Sequence, residues 1–128
     1  MASTPLTNPS VYDPGKDITA EASSAVTARR FLAISGNRAS GGNIAVAHAT
    51  AAGRVCGVAG NDAASGALVR LVRGNSRVVK VTTGGAIAAF AEVEVGSAGR
   101  AVTLASGVAV GYAITAAGNN TDAEISLY

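Results

Sequence analysis

The chain has 128 residues, 10 basic and 8 acidic side chains for a formal charge of +2, one Cys and no Trp, with 48% of residues apolar and 4% aromatic. That length fits one domain. The balanced charge, with no block of like charges, speaks against nucleic-acid binding, one Cys excludes an internal disulfide and a Cys-based metal site, and no apolar run reaches the roughly 18 residues of a membrane span. The expected partners therefore include neither nucleic acid nor membrane, and no cofactor is expected.

Ala and Gly contribute 28 and 16 residues, side chains that bury little apolar area at about 25 cal/mol per Å². The core should be thin, and assembly with copies of itself or with a larger partner is expected to add stability. The N-terminus has neither the basic region nor the apolar stretch of a secretory signal, so a soluble protein made in the cytoplasm is expected.

All three prolines, Pro5, Pro9 and Pro14, fall within the first fourteen residues. Residues 1–16 lack periodicity and are read as an extended arm, with Leu6, Val11 and Tyr12 as apolar anchors along it. Residues 17–128 form the second unit. From Asp17 onward, short β-branched and apolar runs alternate with Gly, Asn and Ser, the pattern of an all-β sandwich or barrel. Strands are predicted over 17–22, 29–35, 44–49, 54–59, 67–73, 77–83, 91–95, 101–105, 108–114 and 123–127. The competing reading over 85–91, rich in Ala, is a turn or two of helix.

One hairpin follows from Leu68–Arg73, the loop Gly74-Asn75-Ser76 and Arg77–Val81, since a three-residue loop containing Gly commonly joins paired strands. That register sets Arg73 opposite Arg77 and Arg70 opposite Lys80. Opposed like charges destabilise a pair, so this edge is either solvated or meets an acidic partner surface.

The chain also reads as a degenerate duplication. Cys56-Gly57-Val58-Ala59, a polar Ala/Gly loop and Ala67–Leu71 have a counterpart in Val110-Gly111-Tyr112-Ala113, a similar loop and Ala123–Leu127. The offset reads as 54 residues at the start and 56 after the loop. A compact barrel or sandwich of two related halves is the expected architecture.

These same segments, together with Val78–Ile87, resemble the head decoration, or capsid cement, proteins of tailed bacteriophages. The resemblance covers residues 17–128, and the arm preceding the β domain also fits. It implies a protein of the virion, made in the bacterial host cytoplasm, that adds to the outer surface of the capsid, binds the major capsid protein as a homotrimer and bridges coat subunits. By position, the capsid-binding role would pass to Pro5, Leu6, Pro9, Val11 and Tyr12 of the arm, with Arg73 and Arg77 on the basic edge.

No enzyme constellation is legible. His48 is the only histidine and has no nucleophile motif beside it. Glu92 and Glu94 alternate on one strand and are read as its solvated side. Gly57–Gly60 and Gly84-Gly85 lack the remainder of a phosphate-loop or dinucleotide motif, and Cys56 is read as a small buried residue. The five aromatics are scattered in sequence and predict no stacking platform. The rival reading is a small-ligand or carbohydrate-binding β module, which the scarcity of aromatics disfavours.

Overall fold

The computed structural model describes residues 9–128, and its regular structure consists of ten strands and one 3-10 turn at Ser97–Gly99. Each strand falls on one predicted run, the last beginning one residue ahead of it, so the described residues are all-β. The Ala-rich 85–91 segment contains no helix. It is extended there because Ile87 bridges to Ala117 with backbone bonds in both directions, 2.8 and 2.9 Å.

The first five strands are β1 (Ile18–Ala22), β2 (Phe31–Ile34), β3 (Ile44–His48), β4 (Gly57–Ala59) and β5 (Leu68–Val72). They close into a barrel in the order β1-β3-β2-β4-β5. All neighbours are antiparallel except β1 and β3, a parallel pair registered over Ala20–Ala22. The last five are β6 (Val78–Thr82), β7 (Glu92–Val95), β8 (Ala101–Thr103), β9 (Gly111–Ala113) and β10 (Asp122–Leu127), an antiparallel sheet ordered β6-β10-β9-β7-β8. Its outer strands approach each other at a single parallel bridge, Thr83 to Ala101.

The two groups of strands repeat one plan. The pairings Val58–Val72 and Ala59–Leu71 in the barrel recur as Tyr112–Ser126 and Ala113–Ile125 in the sheet, an offset of 54 residues on both strands. The offset therefore does not grow across the loop, and the counterpart of Ala123 is Val69 rather than Ala67. Upstream the offset is 61: Glu21–Leu68 recurs as Thr82–Asp122, and the bridge Val26–Ala63 as Ile87–Ala117. The repeated unit thus begins at β1 and β6.

The predicted hairpin is not formed. β5 pairs with β1 and β4, while β6 pairs with β10, so residues 73–77 connect two sheets rather than turn within one. A backbone bond from the Leu127 N–H to the Arg77 carbonyl, 2.9 Å, carries the chain into the second sheet before a hairpin can close.

Alternation decides what each strand buries. Val69 and Leu71 of β5 point into a barrel core with Ala20, Ala22, Leu32 and Val46, while Ala123, Ile125 and Leu127 of β10 point into a second core. That second core also takes Phe31 and Val58 from the barrel. Two barrel strands, β2 and β4, therefore contribute to both cores, and the halves pack as one body. Gly57 makes the close pairing possible, because a Cβ there would lie 2.6 Å from the Val72 carbonyl oxygen; Gly111 stands in the same relation to Ser126.

Candidate functional site

Residues 12–17, which lead into β1, are pinned by arginines distant in sequence. The guanidinium groups of Arg38 and Arg73 lie 5.9 and 5.6 Å from the centroid of the Tyr12 ring. Both are within cation–π reach of one aromatic. Arg38 Nη1 also donates to the Tyr12 hydroxyl at 3.2 Å and to the Gly42 carbonyl at 2.8 Å. Arg73 Nη2 donates to the Asp13 carbonyl, and Arg77 Nη1 to the Asp17 carboxylate, which Arg70 Nε also meets at 3.0 Å. Gly74 lets the arm pass closely, since a Cβ there would stand 2.7 Å from the Gly15 Cα.

Of the predicted site residues, the structure therefore gathers Tyr12, Arg73 and Arg77. Pro9 and Val11 lie exposed beside them, Val11 at 72%, and Pro5 and Leu6 lie outside the described residues. The two arginines hold the arm itself rather than forming a charged strand edge. Arg38 was missed because nothing local connects it to Tyr12.

A second feature is the seam between the halves. A cleft of about 650 Å³ is lined by Arg29, Val58, Gly60, Arg70 and Val72 of the barrel and by β6. Across its end, Arg29 Nη1 pairs with Asp122 at 2.7 Å, and the Thr82 N–H donates to the Arg29 carbonyl at 2.9 Å.

The third feature is aromatic. Phe90 and Tyr112 meet edge to face, 5.2 Å between centroids at 82°, and Tyr112 is 6.1 Å from Tyr128. Three of the five aromatics thus form a surface row, contrary to their scatter in sequence, because β9 and β10 are neighbours and the Phe90 N–H bonds to the Ala113 carbonyl at 2.7 Å. Phe90 is 78% exposed. The Tyr128 hydroxyl donates to Glu92 Oε2 at 2.7 Å, which holds the phenol protonated above its usual range.

Glu92 is solvated as expected, but Glu94 is only 7% exposed. The loop after β8 folds over it: the Ala105 N–H donates to Glu94 Oε1 at 3.0 Å, and a side chain at Gly107 would collide with Oε2. His48 Nε2 accepts the Thr27 N–H at 2.9 Å, and burial, reinforced by Arg30, lowers its pKa. Cys56 is half-buried, its thiol pushed up to about 11 by burial. Neither is joined by a nucleophile–base arrangement, and among the described residues no group of three His, Cys, Asp or Glu side chains could hold a metal.

Fold and surfaces together describe a two-part β protein with a pinned segment before β1, a seam cleft and an aromatic row. Comparison with known proteins makes this specific: the family of phage cement proteins matches residues 12–127, and the chain belongs to that family. Among solved structures, the N base of head fiber gp8.5 of bacteriophage phi29 is similar with a TM-score of 0.75 at 25% identity, covering 88% of this chain and 93% of that one. No curated protein matches the sequence. By their descriptions the family and this neighbour are structural parts of a phage and its head, not enzymes.

Proposed function

We propose that the protein is a cement protein of a tailed-phage head, binding the outer surface of the capsid as a homotrimer and stabilising it by bridging subunits of the major capsid protein. The observation that carries this reading, beside family membership, is the pinned arm. Arg38 and Arg73 both hold Tyr12, and beside it Val11 stands outward at 72% exposure. An apolar side chain held out on a fixed segment is suited to docking, because little conformational freedom remains to be lost on binding.

In this reading Val11 and Pro9 touch the coat, Pro5 and Leu6 extend the contact, and Tyr12, Arg73 and Arg77 fix the arm's direction. An arm and a β domain that dock together gain affinity by linkage. The carbohydrate-binding alternative is not favoured by the aromatic row, since rings at 82° share no flat face for a sugar.

Co-sedimentation with assembled heads lacking this protein tests the proposal. Full-length protein should pellet with heads, and a chain lacking residues 1–16 should pellet far less. Full-length protein that stays in the supernatant would overturn the decoration reading; undiminished binding of the shortened chain would overturn the role of the arm.

A further inference from the structure

The repeated plan identifies a surface in each half that should have a comparable neighbour, and only one of them has it. In the barrel, Arg29 sits at φ 61° with its N–H on the Ala59 carbonyl, and in the sheet Phe90 sits at φ 65° with its N–H on the Ala113 carbonyl. The offsets of 61 and 54 make Arg29 and Phe90 counterparts, as they do Val58 and Tyr112. Beside Arg29, whose own side chain stays 60% exposed, the second half reaches across to the barrel face. Val58 is 2% exposed, and Asp122 and Thr82, directly opposite one another on β10 and β6, reach Arg29. Around Phe90 the corresponding face is open, and it carries Phe90, Tyr112 and Tyr128.

The barrel residues equivalent to Asp122 and Thr82 are Leu68 and Glu21, which are likewise directly opposite one another. Leu68 is 55% exposed, although it starts a strand. The Arg29–Asp122 ion pair within the chain thus has as its counterpart a pair of exposed apolar side chains, Phe90 and Leu68, which lie on different halves. Both members of the pair are charged at one contact and apolar at the other, as the two sides of a second contact would require.

We propose that the Phe90–Tyr112–Tyr128 row is the seat of a second copy of this chain, which presents Leu68 at the start of β5 beside Glu21 of β1. This rests on the reading that the protein assembles with itself and names the surfaces that do so. The contact is head to tail, sheet half to barrel half, the kind that closes into a ring when its rotation permits. Since β1 is already paired on both sides, the backbone bond from Thr82 to Arg29 has no counterpart there, and the contact depends on side chains. Aromatic anchors in exposed apolar patches are suited to that role.

The test transplants the internal ion pair onto the external contact. Phe90→Arg places Arg on a backbone the chain already gives to Arg29, and Leu68→Asp mirrors Asp122. Size-exclusion chromatography with light scattering should show an oligomer for the unaltered protein. Each single substitution should weaken association by about 30-fold, the scale of losing an interface anchor, with far-UV circular dichroism unchanged. The double variant should regain assembly. An unaltered protein that stays monomeric at every concentration, single variants that assemble normally, or a double variant no better than the singles would overturn the inference. Head co-sedimentation separates this from the decoration reading: Phe90→Arg protein that still assembles but loses the heads would assign the row to the coat and overturn the inference. Assembly through the row without head binding would sustain it while decoration fails.

Discussion

The barrel half and the sheet half share their strand plan and differ in how their ends meet. In the barrel, β3 lies parallel to β1 over three registered residues and closes the sheet; in the second half, β8 is shorter and reaches β6 only through the Thr83–Ala101 bridge. The unclosed edge has a use. It leaves the Thr82 N–H free of its own sheet to bond the Arg29 carbonyl, so the half that does not close on itself closes on its neighbour. A duplicated unit can therefore supply both a self-contained body and a docking edge through a change in one strand.

The most severe test of that comparison is the largest barrel side chain that enters the second core. Phe31 belongs to β2 of the barrel yet lies, fully buried, in the core of the second half. Phe31→Ala should cost about 3–5 kcal/mol in urea unfolding. A loss below about 1 kcal/mol would show that the halves do not depend on that packing. Next come the paired glycines. Gly57→Ala and Gly111→Ala each drive a Cβ into the partner strand's carbonyl, and each should cost about 1–3 kcal/mol through overpacking. If only one of them destabilises, the two hairpins are not the equivalent structures their registers indicate.

Much of this architecture could be read from the chain. The positions of all ten strands were legible because β-branched runs between Gly, Asn and Ser clusters follow the local period of a half-buried strand. Pairing was not: the Gly74-Asn75-Ser76 loop has the composition of a hairpin, and only the long-range β6–β10 pairing decides otherwise. The duplication was legible where Gly57-Val58-Ala59 and Gly111-Tyr112-Ala113 match closely, but its first part was hidden. Alignment of Val26 with Ile87 rests on one apolar residue among Ala and Gly. The arm contact was half legible. Tyr12 stood out as an anchor, whereas its clamp on Arg38 and the exposed row at Phe90 depend on neighbours that the fold brings from far along the chain.

A smaller effect separates the halves by pH. His48 fixes the barrel's turn by accepting the Thr27 N–H, and burial followed by Arg30 lowers its pKa below 6.5. The unfolded chain therefore binds the proton more readily than the folded one between those two values. The stability His48 contributes is complete above about pH 6.5 and is lost as pH falls through the folded value. The melting temperature should drop over that range, and the histidine-linked part of the drop should vanish in His48→Gln. At pH 7.5, His48→Ala should cost about 1 kcal/mol, one hydrogen bond. A pH profile identical in the Gln variant would show that the bond contributes nothing.

The smallest expected effect is the most exacting for the repeat. The offset of 54 makes Cys56 the counterpart of Val110, and the thiol's one hydrogen bond, to the Leu32 carbonyl, is long at 3.4 Å. If the two positions are equivalent in packing as well as in register, Cys56→Val should change stability by less than about 0.5 kcal/mol, because a weak donor is exchanged for a side chain the other half already accommodates. The unaltered thiol, with a pKa near 11, should react with a disulfide reagent at pH 8 far more slowly than a free cysteine. Fast labelling of native protein would show that the β2–β4 pairing opens readily, and a Val variant that loses more than about 1 kcal/mol would show that the halves, though alike in strand register, do not surround this position alike.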